Sequence, residues 1–486
     1  MSDWECVIGL EIHVQLLTKS KIFSASSTAY GKEPNKQASY VDLGMPGTLP
    51  VLNNIVIKKA VEFGLAINAN ITNRSIFARK NYFYPDLPKN YQISQLDFPI
   101  VEGGYIEIED DCGNNKKINI TRAHLEEDAG KSIHSDENNC TYIDLNRAGT
   151  PLLEIVSEPE MKSATEAVSY MKKIHNIVTY LEISDGNMQE GSFRCDANVS
   201  IRKSGEKKLG TRTELKNINS FKFVEKAINY EIQRQIDLLE DGKKIKQETR
   251  LYDENKNITK SMRSKEEAND YRYFPDPDLL PIEIDNEYIL KIKKLMPDLP
   301  DVKSKFYKSK YDLTDEQINI ILSNKEITNF ADKILLLSKI SAKRLINHFI
   351  SSVYLKFNKE NFLALEDLIK PNDFYLIIDS IEKKVISKSN LKEILDKIWG
   401  ENINISSVIE NYSSINENNL DMIDDLIKKI IEKNEKQVKE YKSGKTKIVG
   451  FFVGQVLKDA KGSDPSVIKD KIISYLDSIW ENRNSI

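Results

Sequence analysis

Val7-Ile-Gly-Leu-Glu-Ile-His-Val-Gln-Leu16 alternates apolar and polar residues with a period of two. Successive side chains of a β-strand point to opposite faces, so the segment predicts a strand with one apolar and one polar face. Glu11 and His13 share the polar face, roughly 6.5–7 Å apart at the backbone, and could converge on one ion. An ordinary half-buried antiparallel strand explains the alternation equally well, but not the choice of a carboxylate and an imidazole.

A second segment concentrates ionisable residues: Ile120-Thr-Arg-Ala-His-Leu-Glu-Glu-Asp-Ala-Gly-Lys-Ser132. Its adjacent acids Glu126, Glu127 and Asp128 repel one another unless a cation lies among them, and a divalent metal ion is one such cation. A solvated acidic turn is the alternative, and spacing alone does not separate the two. The segment ends like a Walker A loop, but Leu125 stands where that motif requires glycine.

Length and charge place limits on the class of protein. The 486 residues are enough for roughly three domains. The 70 basic and 74 acidic residues nearly cancel, but residues 291–486 hold 33 basic against 29 acidic side chains, an excess that supports contact with a polyanion only weakly. Because no apolar run reaches 18 residues and the N-terminus lacks signal-peptide features, we expect a cytoplasmic protein with no membrane span.

The four cysteines are Cys6, Cys112, Cys140 and Cys195, and no two of them form a Cys-x-x-Cys pair. The sequence therefore predicts neither a zinc site nor a disulfide framework. We expect each cysteine to be a small, semi-buried side chain in a reducing compartment.

The character of the chain changes along its length, which predicts three domains, 1–295, 296–404 and 405–486. The first reads mostly as strands and turns, and the other two read as helical. Helices are also expected in the first domain, from about Asn54 to Ile67, after the capping box Ser163-x-x-Glu166, and from about Phe221 to Leu239. A polar stretch from Glu401 to Asn419 predicts a loose connection between the last two domains.

Two later strand-like segments add candidate ligands. Arg194, Asp196 and Asn198 share one strand face, and Glu214 and Lys216 share another. With the residues above, the polar strands offer one imidazole and five carboxylates, namely His13, Glu11, Glu126, Glu127, Asp196 and Glu214. Oxygen-rich ligation favours Mg²⁺, or Mn²⁺ if the imidazole binds directly.

Metal-holding acids beside arginine and lysine are typical of phosphoryl transfer. The residues alone thus predict metal-dependent chemistry on a phosphate in a β-rich domain. A nuclease or phosphohydrolase fits equally well, and a binding module without chemistry remains an alternative.

Several longer motifs carry a family resemblance. They are Val7-Ile-Gly-Leu-Glu-Ile-His13, Arg79-Lys-Asn-Tyr-Phe-Tyr-Pro-Asp86, Tyr91-Gln-Ile-Ser-Gln95, His124-Leu-Glu-Glu-Asp-Ala-Gly-Lys131, Glu190-Gly-Ser-Phe-Arg-Cys-Asp-Ala-Asn198 and Gly450-Phe-Phe-Val-Gly-Gln-Val456. In this order they resemble the GatB/GatE family, the B subunits of the tRNA-dependent amidotransferases, and the likeness covers the whole length of the chain.

The resemblance implies an α+β fold with an antiparallel β-sheet cradle domain, a helical domain and a small helical YqeY-like tail. It also implies an ATP- and Mg²⁺-dependent ligase that converts Glu-tRNA(Gln) to Gln-tRNA(Gln), Asp-tRNA(Asn) to Asn-tRNA(Asn), or both. An A subunit would hydrolyse glutamine and supply ammonia, and a C subunit would complete the heterotrimer.

The family's site residues map onto this sequence by motif. The resemblance implies metal coordination by Glu11, His13, Glu126, Glu127, Asp196 and Glu214. Glu127, Glu126 and His13 are the expected catalytic residues, with Glu127 also receiving and orienting ammonia, and Lys89 falls in a segment similar to the family's ammonia path. Charge and placement alone add Arg147, Arg194, Lys216 and Lys131 as phosphate contacts.

One departure from the family concerns zinc. Some members carry a zinc-binding Cys-x-x-Cys where this chain has Ser39-Tyr-Val-Asp-Leu43, so no zinc is expected. Two rival functions remain for this set of residues. One is a tRNA-binding scaffold with a structural metal site, and the other is a metal-dependent nuclease that needs no ATP.

Overall fold

The computed structural model describes residues 3–135, 139–264, 271–357, 364–459 and 465–481. They divide into two units, Met1–Pro300 and Asp301–Ile486. The strands of the first unit are, in chain order, β1 (Trp4–Gln15), β2 (Asn70–Ile71), β3 (Arg74–Ser75), β4 (Ala78–Asn81), β5 (Tyr91–Ser94), β6 (Val101–Glu102), β7 (Tyr105–Glu109), β8 (Asn115–Glu127), β9 (Lys131–Ser135), β10 (Cys140–Asp144), β11 (Pro151–Ser157), β12 (Phe193–Lys203), β13 (Thr213–Lys216), β14 (Glu248–Asp253), β15 (Ile258–Ser264), β16 (Phe274–Pro275) and β17 (Ile282–Glu283). Its helices are α1 (Asn54–Ala66), α2 (Ala164–Tyr180), α3 (Phe221–Glu240) and α4 (Asn286–Leu295).

The period-two segment is the centre of a large sheet, in the order β15-β14-β13-β12-β1-β11-β8-β6-β2, with β7 also paired to β8. The alternation predicted for β1 is confirmed: Ile8, Leu10 and Ile12 are at most 1 % exposed, whereas Glu11 and His13 are half-buried on the other face. Neighbouring strands are antiparallel except β13 and β14, which are parallel. The expected antiparallel pairing is thus found at the other neighbouring strands of the sheet, and this one pair departs from it.

Helices cover the apolar face of the sheet. Helix α2 packs against β1 and β7, α3 packs against β12 and β15, and the two helices contact each other. The three predicted helices of this unit are confirmed, and Ser163 and Ser220 cap α2 and α3 by accepting hydrogen bonds from backbone N–H groups. The polar face of β1 lies on the side of the sheet away from this core.

The second unit is helical. Its α-helices are α5 (Pro300–Tyr311), α6 (Asp315–Ile321), α7 (Lys325–Leu337), α8 (Ala342–His348), α9 (Leu355–Phe357), α10 (Leu365–Leu368), α11 (Pro371–Glu382), α12 (Leu391–Ile398), α13 (Ile405–Lys433), α14 (Glu435–Lys442), α15 (Val449–Asp459) and α16 (Pro465–Glu481). A π-helical turn spans Phe349–Tyr354, and 3₁₀ turns span Lys388–Asn390 and Thr446–Ile448.

The loose connection predicted for Glu401–Asn419 is wrong from Ile405 onward, because helix α13 runs through it without a break. Asn404 caps this helix, and its early apolar residues Ile405 and Val408 join the hydrophobic cluster of α7 and α11. Its later turns join a second cluster with α15 and α16. Burial of sparse apolar residues at helical spacing thus outweighs a polar composition.

The structure also bears on the expectations about membrane spans and cysteine burial. Among the residues that the structure describes, no helix combines the length and the apolar composition that a membrane span requires. All four cysteines are free thiols, but only Cys6 and Cys195 are buried; Cys112 and Cys140 are exposed, so the expectation of semi-burial is wrong for them.

Candidate functional site

The register of the central strands brings the ionisable residues together. His13 on β1 lies opposite Glu154 on β11 and Arg194 on β12, and Glu11 lies opposite Asp196 on β12. Side chains at paired positions on one face of a sheet are neighbours. The polar faces of four adjacent strands, β8, β11, β1 and β12, therefore form one ionisable surface.

The first group on this surface is His13, Glu126 and Glu154. The His13 Nε2 atom lies 3.7 Å from Glu126 Oε1 and 3.4 Å from Glu154 Oε2. A second imidazole, that of His124, lies 3.4 Å from Glu154 Oε2 through its own Nε2. The ligand atoms of the three grouped residues all lie within 4.8 Å of one another, a spacing that suits a shared metal ion.

The charges in this first group are strongly coupled. Burial disfavours an imidazolium, but the hydrogen bond and charge of Glu154, with the charge of Glu126, raise the pKa of His13 to about 9. Burial and the charge of Glu154 raise the pKa of Glu126 above its ordinary value. Although burial opposes its ionisation, the two imidazoles hold the pKa of Glu154 well below its usual range. His13 thus holds a proton beside two carboxylates, in a position that a cation could take instead.

The second group is Glu11, Asp196 and Glu214, on β1, β12 and β13, again with ligand atoms within 4.8 Å of one another. Burial, followed by the charges of nearby carboxylates, raises the pKa of Glu11. Asn198 Nδ2 donates a 2.9 Å hydrogen bond to Glu11 Oε1. Lys216 pairs with Asp196 and lies 3.3 Å from Glu214 Oε1. Burial lowers the pKa of Lys216, but the charges of these two carboxylates outweigh it and raise the pKa to about 12.

The three adjacent acids at the end of β8, Glu126 and Glu127 in the strand and Asp128 just after it, have different partners. Glu126 faces His13, while Glu127, on the opposite face, pairs with Lys89 and accepts a 2.9 Å hydrogen bond from the Ile93 N–H. Asp128 forms an ion pair of 3.0 Å with Arg194. Strand alternation separates Glu126 from Glu127, and Asp128 is directed to Arg194 just after the strand ends.

The predicted phosphate contacts lie in different surroundings. Arg194 and Arg147 both pair with Asp128, and Arg147 also donates to the backbone oxygens of Ala129 and Gly130 at 3.0 and 2.6 Å. Lys216 lies in the second acidic group, whereas Lys131 is exposed on β9, in a separate two-stranded sheet.

Packing requires a glycine at position 130 of this turn. A Cβ atom there would lie 2.9 Å from the backbone oxygens of Asp86 and Asp144 and 2.8 Å from a methyl carbon of Leu145. The Walker-like ending of the segment therefore reflects close backbone approach rather than a phosphate loop.

Sequence reasoning missed Glu154, which contacts both imidazoles of the first group. Glu154 is half-buried in a strand whose neighbours Leu152, Leu153 and Ile155 are at most 1 % exposed. A single carboxylate inside an apolar strand segment was the available signal, since such a charge needs a partner.

The segment Ser39–Leu43 is closed by hydrogen bonds to one carboxylate. Asp42 accepts from Ser24 Oγ at 2.9 Å and from Ser39 N at 2.8 Å, and its Oδ2 lies 3.4 Å from Lys21 Nζ. Lys21 is fully buried, and this burial lowers its pKa even though Asp42 opposes the change. Hydroxyl groups, a carboxylate and an ammonium group therefore hold this loop together.

Family models match both parts of this chain. A family model described as the GatB/GatE catalytic domain matches residues 6–290, and one described as a GatB domain matches residues 330–476. The first match contains both acidic groups and the Lys89–Glu127 pair.

Full-length relatives give the same result. The chain is 52 % identical to the B subunit of an aspartyl/glutamyl-tRNA(Asn/Gln) amidotransferase from Alkalilimnicola ehrlichii, over 98 % of this chain and 100 % of the relative. Proteins with the same name from Halorhodospira halophila (50 % identity, 98 % of this chain, 99 % of the relative) and Thioalkalivibrio sulfidiphilus (52 %, 96 % and 98 %) are similarly close. These matches show that the chain belongs to the GatB/GatE family.

Proposed function

We propose that this chain is the B subunit of a tRNA-dependent amidotransferase, a carbon–nitrogen ligase with glutamine as the amido-nitrogen donor. It would use ATP to phosphorylate and then amidate Glu-tRNA(Gln), Asp-tRNA(Asn) or both. The observation that carries this proposal is the pair of neighbouring acidic groups inside the region that matches the family's catalytic domain.

The donor atoms of both groups fit divalent cations. Glu11, Asp196 and Glu214 offer only carboxylate oxygens, the ligands that Mg²⁺ prefers. His13, Glu126 and Glu154 add an imidazole, which Mn²⁺ also accepts. Bound Mg²⁺ would supply charge neutralisation for the triphosphate. Glu127 was expected among the metal ligands, but its contact with Lys89 favours a separate role.

The chemistry explains why ATP is needed. A carboxylate does not react with ammonia, because its negative charge repels the nucleophile and its oxygen is a poor leaving group. In the first step a carboxylate oxygen of the aminoacyl side chain attacks the γ-phosphorus of ATP, and ADP leaves. In the second step the ammonia nitrogen attacks the acyl carbon, the bond from that carbon to the phosphate oxygen breaks, and inorganic phosphate leaves with the proton that the nitrogen loses. Lys216, beside the second acidic group, is the cation best placed for a phosphate oxygen.

Ammonia must reach the acyl phosphate unprotonated and shielded from water. The Lys89–Glu127 pair is largely buried, with side-chain exposures of 11 % and 4 %. Glu127 also accepts the backbone N–H of Ile93, so its orientation is fixed. We propose that this pair marks the ammonia path, with Glu127 as the group that receives and orients the ammonia.

The remaining parts of the assignment follow the family. We infer a cradle domain over residues 1–295, a helical domain over 296–404 and a YqeY-like tail over 405–486, with the last two holding tRNA through lysine contacts to its backbone. An A subunit would supply ammonia by glutamine hydrolysis, a C subunit would complete the heterotrimer, and the complex would work in the cytoplasm.

The test is phosphate release from γ-³²P-ATP by the chain co-purified with its A and C partners. Uncharged tRNA, Glu-tRNA(Gln) and Asp-tRNA(Asn) are compared, each with Mg²⁺ and with EDTA. We expect release only with Mg²⁺ and a mischarged tRNA. A Glu126→Gln variant should lose this activity, whereas the matched Glu225→Gln variant, changed at an exposed residue of α3, should retain it.

Two other results would replace the proposal. Tight tRNA binding without phosphate release under any condition would identify a scaffold with a structural metal site. Degradation of tRNA without ATP would identify a nuclease.

A further inference from the structure

A buried threonine contacts the second acidic group. Thr249 Oγ1 donates a 2.7 Å hydrogen bond to Glu214 Oε2, and Thr249 is 1 % exposed. The other oxygen of the same carboxylate, Oε1, lies 3.3 Å from Lys216 Nζ. Thr249 thus occupies one oxygen of Glu214 and restricts rotation of the carboxylate about its own axis.

The unusual pairing of the sheet creates this contact. Strand β13 pairs with β14 in parallel, and Glu214 is the register partner of Thr249. On the other side of β14 the register with β15 shifts between Thr249 and Arg250, an irregularity of the β-bulge kind. Such irregularities are over-represented next to active sites, where they redirect a side chain.

Strand β14 is firmly held at this point. Arg250 donates to Thr259 Oγ1 at 2.8 Å and to the Thr259 backbone oxygen at 2.7 Å. It also lies 3.6 Å from Glu231, a fully buried carboxylate of α3. Because the next residue along the strand is tied to both β15 and α3, the backbone of Thr249 has little freedom to move.

We propose that Thr249 is a positioning residue, which orients the Glu214 carboxylate for a divalent cation shared with Glu11 and Asp196. The inference deepens the proposed function and rests on its metal site. A hydroxyl is suited to this task, because it holds a carboxylate oxygen without neutralising its charge. Replacing a residue that hydrogen-bonds to a metal ligand typically lowers metal affinity about 10–100-fold.

The experiment measures Mn²⁺ binding to the full-length chain by electron paramagnetic resonance. Thr249→Val removes the hydroxyl at nearly constant volume, and we expect about 10–100-fold weaker binding of one Mn²⁺. Thr249→Ser keeps the hydroxyl and should restore affinity to within a few-fold. If the valine variant does not fold, Thr249→Ala removes the same group.

A matched control lies on the neighbouring strand. Thr213 is also fully buried, but its hydroxyl accepts a 3.2 Å hydrogen bond from Gln235 of α3 and does not face the acids. Thr213→Val should bind Mn²⁺ like the wild type. In the assembled complex, Thr249→Val should raise the Mg²⁺ concentration for half-maximal phosphate release by the same factor as the loss of affinity.

Unchanged Mn²⁺ affinity in Thr249→Val, beside normal binding by the wild type, would overturn the inference and leave the proposed function intact. Equal losses in the valine and serine variants would overturn it too, because packing rather than the hydroxyl would then be responsible. No Mn²⁺ binding by the wild-type chain would overturn the metal site itself, and the inference with it.

Discussion

His13 lies between two carboxylates at the centre of the ionisable surface, and this position decides its protonation. A single nearby carboxylate raises the pKa of an imidazole modestly, whereas two nearby carboxylates raise it enough to outweigh the opposite effect of burial. The same two acids are available to a divalent cation, whose charge would replace that of the proton. Metal binding at His13, Glu126 and Glu154 should therefore release a proton and weaken as the pH falls through about 9.

A Glu154→Gln variant tests this coupling directly. Removing the negative charge of Glu154 should lower the pKa of His13 from about 9 toward its ordinary value, 6.5. At pH 8, in the absence of divalent cations, His13 is mostly protonated in the wild type and should be mostly neutral in the variant. The measurement is an NMR titration of the imidazole resonances. The chain has only five histidines, so these resonances are simple to assign.

The control for this titration is Glu107→Gln, at an exposed position on β7. It should leave the pKa of His13 unchanged. If the titration of His13 were the same in Glu154→Gln and in the wild type, Glu154 would not be the dominant partner.

At the scale of the element, α3 is tied to the sheet by a buried carboxylate. Glu231 is 0 % exposed and accepts hydrogen bonds from Arg234 at 2.6 and 2.9 Å, from Gln235 at 2.9 Å and from Thr259 at 3.1 Å. A buried charge is tolerated when its oxygens are satisfied in this way. The network joins α3 to β14 and β15, the strands that carry Thr249 and its supports.

Replacing Glu231 by alanine should destabilise the first unit by about 3–5 kcal/mol, because buried hydrogen-bond donors and the positive charge of Arg234 lose their partner. Urea unfolding followed by circular dichroism measures the loss. The matched variant Glu225→Ala changes an exposed glutamate of the same helix and should stay within about 0.5 kcal/mol of the wild type. Similar stabilities for the two variants would show that the network contributes little.

At the scale of the whole molecule, the candidate chemistry and the helical region belong to different units. Both acidic groups, the Lys89–Glu127 pair and the large hydrophobic core lie within Met1–Pro300. The second unit has its own hydrophobic clusters. A unit with its own core can fold independently, so metal binding should not require the helical region.

A fragment of residues 1–300 should therefore fold cooperatively and bind Mn²⁺ within about threefold of the full-length affinity, a difference of less than about 1 kcal/mol. Thermal unfolding and electron paramagnetic resonance measure the two properties. The reciprocal fragment, residues 301–486, should bind no Mn²⁺ at the same concentrations. A folded first fragment that has lost Mn²⁺ binding would show that the helical unit contributes to the metal site.

Local patterns in the sequence were enough to predict β1 and the helices α1, α2 and α3, and the longer motifs were enough to indicate the family. The alternation of Val7–Leu16 predicts β1 and its polar face, and the caps and apolar spacing predict α1, α2 and α3, because these features depend on neighbours within a few residues. Glu401–Asn419 was misjudged because its helix is stabilised by distant hydrophobic clusters, which a local polar composition does not reveal.

Only the tertiary structure decided how the acids are grouped. Sequence placed Glu127 with Glu126 and did not select Glu154 or Thr249, because which side chains meet depends on the register of strands far apart in the chain. Glu154 reaches His13 across the β1–β11 pairing, and Thr249 reaches Glu214 across a parallel pair. The sequence therefore identified the types of residue in the site. Their division into two groups also depends on cross-strand register, because the partners are far apart in the chain, and only the folded sheet determines that register.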